Sequence, residues 1–152
     1  MKTFGELVAR VMETLPEAFT PYLDNLVVDV EAEPDLQTLR SMDFSEEEIA
    51  QGETLLGLFV PMPLPCDGLD QATDVPHQLI LYKRPLEDEF PERRQFLIEV
   101  RKTVIHELAH HFGWTDEELQ RFDNTPDPFQ DALLDELEAI VRRGEHRDRK
   151  RK

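Results

Sequence analysis

The chain has a single cysteine, Cys66, so no internal disulfide can form, and any metal site must rest on His, Asp and Glu unless that thiol joins it. It has no apolar run near the roughly 18 residues of a membrane span, which argues against a membrane partner. It lacks the apolar core of a secretory signal as well: the opening "MKTFGELVARVMETLPEAF" alternates charge with apolar groups, so a cytoplasmic location is expected. Basic residues are scarce, 17 against 33 acidic, and seven of them crowd into residues 142–152. That leaves 10 basic against 31 acidic in residues 1–141, a net −21, which argues against duplex nucleic acid as a main partner.

What is present fits one domain. At 152 residues the chain can bury a sizeable core but has no room for separate catalytic and substrate domains. Residues 1–141 are expected to form that domain. Residues 142–152, "RRGEHRDRKRK", have nothing to bury and are expected as a disordered tail.

Phe4, Leu7, Val8, Val11 and Leu15 recur at helical spacing before Pro16. "NLVVDVEA", "TLLGLFVP" and "HQLILYKR" read as strands. Ser45 and Glu48 form a capping box, as do Thr115 and Glu118. A long helix is expected from Pro91 to Phe112, with Phe96, Leu97, Val100, Val104 and Leu108 as its apolar stripe, and a last helix over "PFQDALLDELEAIVRR". The Pro-rich loop at 61–76 could cover or open a site. The order of elements predicts an α+β domain with a small, mainly antiparallel sheet.

The long helix carries the chemistry. In "TVIHELAHHFGWTDEEL" (103–119), His106 and His110 are four apart and so project from one face, about one turn from each other. Two imidazoles so placed can share a metal ion. Glu107, offset by one residue, stands beside it as a base for an activated water. Two imidazoles and a carboxylate with no thiolate suit Zn2+ best among common metals. A third ligand must come from outside the helix. Gly113 can turn the chain back in the left-handed conformation, and Asp116 follows six residues after His110. A competing account makes Asp116 an ordinary first-turn acid favoured by the helix dipole, with Glu136 or Glu138 recruited in its place.

The pattern H-E-x-x-H-x-x-G-x-x-D, with "LPEAF", "VVDVE", "LLGLF" and "LILYKRPL" upstream in order, resembles the small bacterial zincin-like metallopeptidases over residues 4–120. The resemblance implies a minimal zincin-like fold, with the sheet packed on the long H-E-x-x-H helix. It also implies zinc-dependent hydrolysis of peptide bonds, with His106, His110 and Asp116 as metal ligands and Glu107 as general base. A peptide or protein is then the substrate, lying along a sheet edge for which "LLGLFVP" is the candidate.

Two departures stand out. The metzincins, which share this spacing, place a methionine below the metal downstream of the motif, whereas Met1, Met12, Met42 and Met62 all lie upstream. Only 36 residues follow Asp116, so the lower half of a protease cleft is reduced. The alternative function is a zinc-binding but catalytically idle interaction module. His111 and Trp114 are expected to pack, with Trp114 a lid over the glycine turn. Cys66, His77, Tyr82 and His146 are assigned no role at the metal.

Overall fold

A computed structural model describes residues 1–61, 76–124 and 130–150. Cys66 and most of the 61–76 loop lie outside the described residues. The chain begins with helix α1 (Lys2–Glu13), whose buried Phe4, Leu7, Val8 and Val11 form the predicted stripe. Pro16 ends that pattern, and a 3-10 turn (Glu17–Tyr22) follows, burying Phe19. Strand β1 (Leu26–Glu31) leads to two short helices, α2 (Leu36–Ser41), capped by Asp35, and α3 (Glu46–Ala50), opened by the Ser45/Glu48 capping box. Strands β2 (Gly57–Val60) and β3 (His77–Tyr82) come next.

After β3 the chain turns at once into α4 (Lys83–Glu89), where the sequence pattern continued the strand through "KR". Pro85 lies in the first turn of α4, where the missing amide hydrogen costs nothing because no carbonyl of the helix precedes it. Helix α5 (Arg93–His111), α6 (Asp116–Asp123) and α7 (Gln130–Lys150) complete the chain.

The architecture is α+β, with the helices packed around a three-stranded sheet in the order β1-β3-β2. The sheet is mixed rather than mainly antiparallel. β2 runs antiparallel to β3 with Phe59 opposite Leu79, whereas β1 runs parallel to β3 with Val28 opposite Leu79. The physical reason is connectivity: α2, α3 and β2 intervene between β1 and β3, which is long enough for the crossover that a parallel pair needs.

Helix α5 is the central rod. Leu97, Val100, Val104, Ile105, Leu108 and Ala109 are buried along it and meet Leu79, Leu81 and Phe59 from the sheet, with Leu133, Leu134, Leu137 and Ile140 from α7 in the same core. β2 comes very near α5 at Gly57, where an added Cβ would stand 2.9 Å from Thr103 Cγ2 and 3.1 Å from Leu81 Cδ2. Any larger residue would wedge the strand away from the helix.

Helix α7 runs through Lys150, so it takes in most of the stretch expected as a disordered tail from residue 142. Arg93 pairs with Glu145 and Arg147 with Glu6, while a Cβ at Gly144 would collide with Thr3. The body thus supplies an acid, Glu6, for one arginine of the segment and a base, Arg93, for one of its acids, and the helix continues beyond its last apolar residue. Among the described residues no helix is long and apolar enough to cross a membrane.

Candidate metal centre

The site lies on the C-terminal half of α5. Ile105, Leu108 and Ala109 turn inward, and the helical period therefore carries His106 and His110 outward together. Their ring centroids are 6.4 Å apart. The helix stops where predicted. Gly113 adopts φ +87°, a left-handed conformation that costs other residues about 1–2 kcal/mol, and the Trp114 amide returns to the Ala109 carbonyl at 3.0 Å. Thr115 then caps α6, accepting from the Glu118 amide, while the Glu118 side chain accepts from the Thr115 amide.

Aromatic packing fixes the angle of this turn. Trp114 stacks on Phe19 with centroids 5.0 Å apart and donates from its indole nitrogen to the Tyr22 hydroxyl at 3.2 Å. Tyr22 stacks in turn on Phe112 at 4.2 Å, and Phe122 from α6 meets Phe19 edge-on. Trp114 is therefore the lid over the turn that its position suggested. The 3-10 turn after α1 supplies the other half of the clamp. Nothing local in the sequence links Phe19 and Tyr22 to the site, since 92 positions separate Tyr22 from Trp114.

With α6 folded back along α5, each outward imidazole faces a carboxylate. His110 Nε2 lies 3.9 Å from Asp116 Oδ1. His106 Nε2 lies 3.0 Å from Asp123 Oδ2 and 3.2 Å from Oδ1. Asp123 was not among the residues read from the sequence. The signal was there to find: it stands seven residues after Asp116, two helical turns on, and so shares its face of α6. Glu136 and Glu138 are engaged elsewhere, Glu136 with Arg10 and Glu138 with Arg94 and Arg142.

Glu107 is half-buried beside the two histidines. Burial pushes its carboxyl above the ordinary range, while the charges of His110 and His106 and the backbone N–H of Phe59 oppose that rise. The ladder explains how Phe59 reaches it. Leu56 O accepts from the Tyr82 amide, so Leu58 takes the next hydrogen-bonded position, and the polar groups of Gly57 and Phe59 point off the outer edge of β2. β2 is an edge strand, as expected of "LLGLFVP".

His111 packs its ring against Phe59 at 4.3 Å and comes within 3.9 Å of Glu107, and its partial burial lowers its pKa. His77 sits at the start of β3, its ring 5.6 Å from that of Phe59 and 6.3 Å from that of Phe112. Tyr82 is buried in the core, with its pKa pushed up to about 12 by burial and then by Glu31 and Asp35.

Among the described residues no three His, Cys, Asp or Glu side chains already converge as a metal-binding group; the geometry is one of two separate imidazole–carboxylate pairs. The donor set itself, two imidazole nitrogens with facing carboxylates and no thiolate, has the chemistry that zinc accepts. Asp116 is fully exposed, so nothing packed around it opposes the small rotation that would bring it to His110.

Comparison with known proteins identifies the family. No protein with a curated description matches the chain. A solved structure, a conserved hypothetical protein from Thermo thermophilus, is similar at 29% identity and a TM-score of 0.51, covering 73% of this chain and 92% of that one. Residues 23–125, which span the sheet, all of α5 and the turn into α6, match the family described as zincin-like metallopeptidase, and the chain belongs to that family.

Proposed function

We propose that this protein is a zinc-dependent metallopeptidase, with His106, His110 and Asp116 holding the metal and Glu107 as general base. One observation carries the reading. A half-buried glutamate lies beside two outward imidazoles on one helix, with the backbone amide of an edge strand facing its carboxylate. A carboxylate so raised by burial is a better proton acceptor than a solvated one.

Zinc bound there would acidify a water molecule and polarise the scissile carbonyl. Glu107 accepts the proton of that water on its carboxylate oxygen and afterwards delivers it to the departing amine nitrogen. His106 and His110, fixed in register by the helix, keep the reaction within reach of Glu107. The outer edge of β2 offers the backbone groups of Gly57 to an extended peptide, which would add as an antiparallel strand. Phe59 uses its own amide to orient Glu107 rather than to bind substrate.

The test is zinc content and peptide hydrolysis for the parent and Glu107→Gln. About one zinc per chain in both, with hydrolysis reduced roughly 10²–10⁴-fold in the variant, is the expected result. Equal zinc with no hydrolysis in the parent across peptide libraries would instead favour a zinc-holding interaction module.

A further inference from the structure

The second carboxylate of the α6 face is not explained by the three-ligand reading. Asp116 sits in the first turn of α6, where the helix dipole welcomes an acid whether or not a metal is near. Asp123 is the last residue of the same helix, where the dipole opposes one. Its side chain is only 26% exposed, and both of its oxygens lie within 3.2 Å of His106 Nε2. A carboxylate that merely oriented a ligand histidine would address the nitrogen turned away from the metal. Asp123 instead addresses Nε2, the same nitrogen through which His110 faces Asp116.

The His106–Asp123 pair stands at hydrogen-bond length, close to the spacing that a shared metal would need. Neighbouring ligand atoms around a four-coordinate zinc, with bonds of about 2.0–2.1 Å, stand about 3.3–3.4 Å apart. The His106–Asp123 separations of 3.0 and 3.2 Å fall just short of that edge, and the His110–Asp116 separation of 3.9 Å falls beyond it. Asp123 is thus as near to a ligating position as Asp116 is.

We infer that Asp123 is a second carboxylate donor, which would hold the zinc together with His106, His110 and Asp116. The inference rests on the metal site of the preceding section. The donor set would then comprise two imidazoles and both carboxylates that α6 turns towards them.

Zinc affinity of the full chain, measured by competition with a chromophoric chelator, tests this without reference to hydrolysis. The parent is compared with Asp116→Ala, Asp123→Ala, Asp123→Asn and Glu107→Gln. Loss of either α6 carboxylate is expected to weaken zinc more than about 100-fold, beyond the roughly 10–100-fold of a residue that only orients a ligand, while Glu107→Gln stays within about threefold of the parent. The visible absorption of the cobalt-loaded protein should shift in Asp123→Ala and Asp123→Asn and hold in Glu107→Gln. Should the alanine variant fail to fold, Asp123→Asn retains the shape of the side chain and decides alone. Parent-like affinity and an unchanged cobalt spectrum in both Asp123 variants would overturn the second-donor role and leave the three-ligand site standing. No zinc bound by the parent would overturn the site and this inference together.

Discussion

The two sides of one helix, the C-terminal half of α5, obey different rules. Ile105, Leu108 and Ala109 are at most 2% exposed and lock the helix to the sheet and α7. His106 and His110 are 36% and 53% exposed by side chain and face α6 carboxylates. The first side is held by area removed from water, at about 25 cal/mol per Å². The second is held by nothing of the kind, so its residues are free to be chosen for chemistry. A rigid side and a reactive side on one rod give a site whose geometry is set by packing but whose occupancy is not.

The comparison is broken most severely from the packed side. Leu108→Ala should cost about 2–5 kcal/mol in denaturant unfolding, because a fully buried side chain leaves a cavity, while the folded fraction still takes up zinc. A loss below about 1 kcal/mol would mean that the rod is not the core element described. Gly57→Ala should cost about 1–3 kcal/mol, since its Cβ must displace Thr103. It should also lower hydrolysis per bound zinc, because moving β2 carries the Phe59 amide away from Glu107.

A third change sharpens the packed side through pH. The Tyr82 hydroxyl is raised to about 12 in the fold, from near 10 in an unfolded chain, so the folded state keeps its proton longer. Its contribution is whole below about pH 10 and is lost as pH climbs towards 12, a fall of about 2–3 kcal/mol. Tyr82→Phe should abolish that part of the alkaline slope when urea midpoints are compared across the window; an unchanged slope would place the titration elsewhere.

The smallest effect is expected on the reactive side. His110→Ala should shift the stability of the metal-free protein by less than about 0.5 kcal/mol, yet remove zinc and with it hydrolysis. Thermal unfolding with and without a chelator separates the two contributions, because only the parent should gain stability from added zinc.

Much of this was legible in the chain because it is local. The H-E-x-x-H spacing, the stop at Gly113 and the Thr115/Glu118 capping box depend on residues within a turn or two of one another, and each stands where the pattern put it. The parallel pairing of β1 with β3 did not show, since strand direction is decided by the intervening path and not by alternation within either strand. Nor did α2, whose cap, Asp35, was present but whose six residues are too few to reveal a period. The α7 extension escaped because its ties, Arg147 to Glu6 and Arg93 to Glu145, join residues far apart in sequence. Asp123 was missed for a different reason. Family spacing draws attention to the first carboxylate after the glycine, and only folding α6 back shows that a second faces the other imidazole.

The amide of Phe59 has a consequence for how the sequence can drift. Because the group that steadies Glu107 is main chain, no change of side chain at 59 other than proline can delete it. The vulnerable alteration is an insertion or deletion of one residue before β2. Such a slip would turn the β2 side chains to their opposite faces, taking the Phe59 ring out of the core and away from His111, which stands beside Glu107. The base is therefore tolerant of spelling and intolerant of metre.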